Sequence, residues 1–413
     1  MSKFLRASSK LHASLALEWN IKILILSGFL SSMGYVLWYP LISLYIVELF
    51  PSRTEAIAFL GVILTVSSLS LNLSAAPGGY LIDLYGRKRV MVLSQIIATV
   101  ASFFMTLTSG SWMLIPLAVS FMGYSIMQVA AQTLIADSVL AHSRGTAYSV
   151  LDLSLTTANI IGPAIGGFVG EYFDFRKVFL VSTVCWALSI AVTQRGVKET
   201  HKAIKEETPT RKGKSFSLSY LKSIIRVERS LVALIVASAV GYAGSSLTDN
   251  IWPVYAKDFM YLSKAQVGII VSFYTLFFAI LMIPAGKISD KWRRKPLITS
   301  GLFFSGALYA IFVSLHTFYE VLTLFLFWGL ASALWFTPRQ ALLADLTSRE
   351  NRATAIGLVT TLRGILAIPA PLIGTILWTF YEPQIPFYLS ALLLLLCGLL
   401  VLFSVKEPIK EKK

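Results

Sequence analysis

Four ionisable side chains fall deep inside long apolar stretches of this sequence: Asp152, Asp249, Arg339 and Arg363. A charge placed in hydrocarbon is costly, so a carboxylate or guanidinium there is expected to take up a proton, pair with an opposite charge or hold a charged solute. At a helical rise of about 1.5 Å per residue, Asp152 lies about 12 Å in from Arg144, Arg363 about 16 Å in from Arg352 and Arg339 about 9 Å in from Asp345. By the same rise Asp249 is about 13 Å in from Asp258, nearer the opposite end of its stretch. This placement predicts that Asp152 pairs with Arg339 or Arg363 in at least one state, and that Asp249 takes a proton or faces a cationic solute. The alternative is a permanent ion pair that only ties helices together.

Aromatic residues gather along the same stretches: Tyr35, Trp38 and Tyr39 in the first, Tyr242 and Trp252 in the seventh, Trp328 and Trp335 in the tenth. As a group they suit a broad apolar pocket with some affinity for cations. Gln132 and Gln340 occupy matching positions and add uncharged polar groups to this set of pathway residues. Pro40, Pro253 and Pro338 sit beside the aromatics, where interrupted hydrogen bonding is expected to provide hinges or solute contacts.

Other chemistries lack their residues. No Gly-rich loop ends in Gly-Lys-Ser/Thr and no His-Glu-x-x-His pair occurs, so neither ATP nor a metal is expected, and no cofactor. Cys185 and Cys397 lie in apolar runs and read as small hydrophobes. A membrane enzyme built on a divalent metal would need clustered acids, whereas Glu48, Glu55, Glu171, Asp174, Asp258, Glu320 and Glu382 are dispersed.

The elements that must carry these residues follow from composition. With 56% hydrophobic and 14% charged residues in 413, the chain has too few polar groups to cover a soluble surface. Twelve apolar runs, the first at 20–49 and the last at 385–405, are long enough to cross a hydrocarbon core of about 30 Å, and without polar alternation they are helices rather than barrel strands. The net charge of +15 sits in short loops, which is the membrane-orientation pattern and not a nucleic-acid surface. Placing both termini in the cytoplasm leaves only Arg53, Arg176, Lys177, Lys257 and Lys264 in outer loops. The expected organisation is a cytoplasmic segment (1–19), a six-helix bundle (20–196), a charged cytoplasmic linker (197–229), a second six-helix bundle (230–405) and a cytoplasmic tail (406–413). The fold class is thus all-α integral membrane, in the lipid bilayer of the plasma membrane, with a monomer as the expected unit.

The two bundles repeat. Gly79, Asp83, Gly86, Arg87 and Lys88 close the second span, and Gly286, Asp290 and Arg294 recur at the eighth, with Arg293 where the second Gly would fall. Asp137, Arg144, Thr146 and Ala147 are matched 208 positions later by Asp345, Arg352, Thr354 and Ala355, and Pro163 and Gly166 by Pro371 and Gly374. So many coincidences at one spacing argue for duplication. In each turn the first Gly is expected to let two helices approach.

The Gly-x-x-x-Asp-x-x-Gly-Arg-Lys turn resembles the loop between the second and third helices of the major facilitator superfamily. That resemblance, which covers nearly the whole chain, implies two pseudo-symmetric six-helix bundles, alternating access, and a cytoplasmic gate in which Asp83, Arg87, Asp137 and Arg144 form a charge network. Gly162, Pro163, Gly166 and Gly167 in the fifth span look like the fifth-helix motif of the superfamily's drug and metabolite exporters, although a plain packing seam would also use them. Val119 stands where those exporters carry a fourth-helix Arg. The resulting expectation is a proton-coupled exporter of a small apolar or cationic solute. The runner-up is a nutrient or organic-anion carrier in which Arg339 and Arg363 hold a carboxylate, and a membrane-embedded enzyme or non-transporting sensor ranks below both.

Overall fold

The computed structural model describes residues 19–139, 144–200, 229–347 and 352–407; the linker at 201–228 and both chain ends lie outside the described residues, as do the side chains of 352–356, Arg352 included. Among the described residues twelve helical spans are long and apolar enough to cross a membrane. They are built as α1 (Trp19–Val36), α2 (Ile42–Glu48), α3 (Arg53–Leu73), α4 (Ala75–Tyr85), α5 (Arg87–Leu107), α6 (Leu114–Ser138), α7 (Arg144–Tyr172), α8 (Phe175–Gly196), α9 (Arg229–Ser246), α10 (Trp252–Met260), α11 (Lys264–Lys291), α12 (Arg294–Phe312), α13 (Phe318–Asp345), α14 (Arg352–Ala367), α15 (Ala370–Phe380) and α16 (Ile385–Ser404). Helix starts are set locally where the sequence allows it. Ser263 with Gln266 forms a reciprocal capping box at α11, and Thr317 with Glu320 does the same at α13.

Several spans that the hydropathy predicts as single helices are jointed. The first is interrupted between α1 and α2 by a short 3-10 turn at Tyr39–Leu41, the seventh by turns between α9 and α10, the second at Ser74 and the eleventh at Ile368 and Pro369. Pro40 and Pro253 sit at such joints, as the sequence predicts. Pro338 does not: α13 runs through it unbroken, and the eleventh-span joint falls at Pro369 instead.

The described residues form two compact units. One contains α1 to Tyr39 together with Leu69 to Thr200; the other contains Pro40–Ser68 together with 229–407. Residues 40–68 belong to the first repeat by sequence yet pack with the second. Two features hold them there. A Cβ on Gly61 would collide with the Thr375 hydroxyl and lie 3.3 Å from the Leu372 Cα, so α3 approaches α15 closely here. Glu48 accepts hydrogen bonds from both Lys257 and Lys264, the latter at 2.8 Å, and Arg53 pairs with Asp258.

Within the first unit, α1, α5 and α8 share a polar seam. The amide nitrogen of Gln95, fully buried, has three hydroxyl acceptors for its two hydrogens: Ser189 at 2.9 Å, Ser27 at 3.1 Å and Thr193 at 3.1 Å. Hydroxyl pairs such as Ser31 with Ser189 (2.6 Å) complete it. In an apolar bundle such bonds fix which helices pair, because lipid offers no competing partner.

Candidate functional site

The two repeated turns are built alike. In the first, Arg87 donates from Nε to Asp137 at 2.9 Å and lies 3.6 Å from Asp83. Gly86 is at φ 98°, a conformation that glycine adopts without strain, and the backbone N–H groups of Arg87 and Lys88 point at the Glu199 carboxylate at 3.1 and 3.2 Å. Glu199 thereby caps the N-terminus of α5, where a negative charge meets the positive end of the helix dipole. In the second turn Arg294 pairs with Asp345, and Glu407 accepts from the N–H of Arg294 at 2.5 Å and of Lys295 at 3.4 Å. Arg293, where the first turn has Gly86, takes an extended conformation with φ −71°, which explains why no glycine is needed. The sequence singles out Asp83, Arg87, Asp137, Arg294 and Asp345 but not the two glutamates, which arrive from beyond the sixth and twelfth spans.

Two expectations for these turns differ from the observed geometry. A Cβ at Gly79 would meet nothing within 4 Å, and one at Gly286 would make only ordinary contact, with Thr337 at 3.5 Å. The close approach is made one residue earlier, by Gly78 against Ile126 at 2.9 Å. Arg144 makes no ion pair among the described residues and donates to the Ala136 carbonyl at 3.1 Å. Lys88 reaches the Gln194 carbonyl at 2.8 Å.

The fifth-span glycines face α1. A Cβ on Gly166 would collide with the carbonyl oxygen of Leu37, and one on Gly162 with Val36; Pro163 and Gly167 are buried beside them. Gly374 stands in the same relation to the carbonyl of Leu247 in the other unit. Both contacts lie at the joint of a broken span.

The pathway residues separate into two sets. In the first unit Tyr35 stacks on Tyr124 with ring centroids 4.0 Å apart and on Tyr39 at 4.8 Å, while Trp38 is fully buried against Tyr35 and Phe121 and so serves packing. Gln132 and Asp152 are exposed, and Asp152 has no ion pair among the described residues of its own unit. Gln340 is also exposed.

In the second unit the sequence candidates converge. Asp249 sits in the turn between α9 and α10 with an exposed side chain and no ion-pair partner among the described residues. Tyr242, Tyr274 and Tyr309 lie within electrostatic reach of it, and the Tyr309 hydroxyl is held by Ser245 and Thr248. Tyr274 meets Ser332 at 3.3 Å. Arg363 lies over the Tyr242 ring at 4.2 Å, and Arg339 folds back along α13 over Trp335 at 4.6 Å and Phe336 at 5.4 Å. Trp252 packs on Phe325 at 4.6 Å. Tyr274 and Tyr309 come from α11 and α12, which no local pattern links to Asp249. No group of His, Cys, Asp and Glu among the described residues is placed to hold a metal ion.

The sequence matches the family model for the Major Facilitator Superfamily over residues 24–259 and again over 234–413. The chain belongs to that superfamily. Its fold is the superfamily's helical fold, and it is a multi-pass membrane transporter rather than an enzyme. An MFS-type transporter of Methanocaldococcus jannaschii is 24% identical, with 94% of this chain aligned to 95% of that protein. The multi-drug resistance efflux pump PmrA of Streptococcus pneumoniae is 23% identical over 95% of this chain and 98% of the pump. The crystal structure of a bacterial homologue of the human lysosomal transporter Spinster, in an inward-facing and occupied conformation, superposes with a TM-score of 0.76 at 12% identity, covering 93% of this chain and 96% of that one. At such identity the likeness speaks for fold alone.

Proposed function

We propose that this transporter exports a small, largely apolar or cationic solute by alternating access, in exchange for protons carried on the Asp249 carboxylate. The observation that carries this reading is the setting of Asp249: an accessible acid without a counter-ion, at the joint of a broken span and among three tyrosines from three helices. An acid so placed offers one negative site that a proton and a cation compete for, and competition for one site is what converts a proton gradient into outward solute movement. The likeness to an efflux pump over the full chain supports the outward direction. The positive-inside pattern supports a cytoplasmic position for both termini and for the turns at 83–88 and 290–295, which would serve as the inner gate. A monomer is sufficient for this cycle.

The test is flux of a panel of dyes, organic cations, sugars and organic acids from proteoliposomes, with and without an imposed pH gradient, for the wild type and Asp249→Asn. The reading requires gradient-driven transport of at least one apolar or cationic compound, lost in the variant. Sugar flux indifferent to the gradient would replace it with a facilitative nutrient carrier.

A further inference from the structure

The same unit holds a feature that a cation exporter does not need. Arg339 is 4% exposed and its Nη1 has no hydrogen-bond partner; the Nε of Arg363 is likewise buried and unpartnered. Neither guanidinium forms an ion pair with a described residue, and the two lie close enough to repel each other. Their flat faces are taken by aromatic rings: Trp335 and Phe336 for Arg339, Tyr242 for Arg363. Stacking fixes each plane while leaving N–H groups at the edge unused. A desolvated cation without a partner costs several kcal/mol, and two adjacent ones cost more, so a fold that served only stability would supply a carboxylate here. The guanidinium edge is a fork matched to the two oxygens of a carboxylate or to a phosphate.

We infer that Arg339 and Arg363 form a subsite for an organic oxyanion, a carboxylate or phosphate carried on an apolar body that packs against Trp335 and Tyr242. This rests on the exporter reading and narrows it. Tyr242 touches Arg363 and is within electrostatic reach of Asp249, and a solute that spans both would set its acid group on the arginines and its apolar or cationic part toward Asp249. The favoured cargo is therefore an apolar or cationic body that also carries an acid group.

Binding is measured without transport, so the two readings fail separately. Thermal unfolding of the purified full chain in detergent is followed with benzoate, phenyl phosphate, benzyl alcohol and benzylamine as probes, in the wild type, the Arg339→Gln/Arg363→Gln double variant and the two single Arg→Lys variants. Benzoate or phenyl phosphate should stabilise the wild type where benzyl alcohol at equal concentration does not, and which of the two acts at lower concentration tells carboxylate from phosphate; any stabilisation by benzylamine, which would bind at Asp249, should be unchanged in the arginine variants. Each Arg→Lys change should weaken the anion by about tenfold, as expected for a lost charge-assisted bond of about 1.5 kcal/mol. Should the double variant fail to fold, the wild-type contrast and the lysine variants still decide. Equal stabilisation by the neutral and acidic probes, no anion effect on the wild type, or undiminished anion binding in the arginine variants overturns the subsite. Anion binding with no flux of any panel compound would instead sink the exporter reading and leave the subsite standing.

Discussion

Gly166 lies against the carbonyl oxygen of Leu37 so closely that no Cβ fits between them, and Gly374 repeats the contact at Leu247. The two glycines are 208 positions apart, and the contacted residues, 210 apart, each occupy the joint of a broken span. Duplication has thus preserved a backbone-to-backbone seam, and what the sequence shows as a Pro-Gly motif is the mould for a carbonyl.

The first prediction concerns that seam. Gly166→Ala and Gly374→Ala should each destabilise the protein by about 1–3 kcal/mol, the usual cost of overpacking a tight contact. Gly79→Ala, whose Cβ would point into open space, should stay within about 0.5 kcal/mol of wild type. Melting temperatures in one detergent decide, and equal effects at positions 79 and 166 would contradict the geometry.

A second prediction concerns residues 40–68. Glu48→Lys should loosen this segment by opposing Lys257 and Lys264, and the charge swap Glu48→Lys/Lys257→Glu/Lys264→Glu should restore it. The reporter is maleimide labelling of Ala56→Cys, at a fully buried position, in a background with Cys185 and Cys397 replaced by Ser. Labelling should rise several-fold with the single reversal and return toward the starting rate with the swap. Rates unchanged by the reversal would show that the ion pairs do not hold the segment.

Much of the fold is legible in the sequence, for a physical reason. Spans announce themselves because lipid demands about 20 apolar residues with self-bonded backbone, and the Arg87–Asp137 and Arg294–Asp345 pairs recur because the whole turn was copied. Joints were harder. Pro338 and Pro369 look equally disruptive in sequence, yet α13 tolerates one while the eleventh span stops at the other. Local pattern also pointed at Gly79 when the close contact belongs to Gly78, since which face of α4 meets α6 depends on where the helix is rotated. The Asp249 setting could be read only in part: the acid stands out in an apolar run, but Tyr274 and Tyr309 are ordinary aromatics until α11 and α12 bring them alongside. Nor does hydropathy reveal that Arg339 Nη1 and Arg363 Nε are buried without a hydrogen-bond partner, because the sequence offers Asp152 as a pairing acid.

Orientation gives a third prediction. Single cysteines at Tyr85 and Trp292, exposed positions in the two repeated turns, should react with a membrane-impermeant maleimide only after cells are opened. Cysteines at Trp112, Tyr261 and Tyr319 should react in intact cells. Labelling of the 85 and 292 sites from opposite faces would break the duplicated-bundle account.

The glutamate caps supply a fourth. Glu199→Gln and Glu407→Gln keep hydrogen-bond acceptors but remove the charge facing the helix dipole, and each should cost about 0.5–1 kcal/mol, diminishing at high salt. Unfolding at low and at 1 M salt reads both; a loss independent of salt would point to geometry instead of charge.

The most direct test of the central claim is proton movement itself. Proteoliposomes with a trapped pH indicator and no imposed pH gradient are given an outward or inward gradient of a transported solute. The wild type should move protons in the direction opposite to the solute, and Asp249→Asn, which cannot carry the exchanged proton, should lose most of the proton signal for the solute it still carries. Proton movement undiminished in Asp249→Asn, or absent from the wild type while solute flows, would contradict the account.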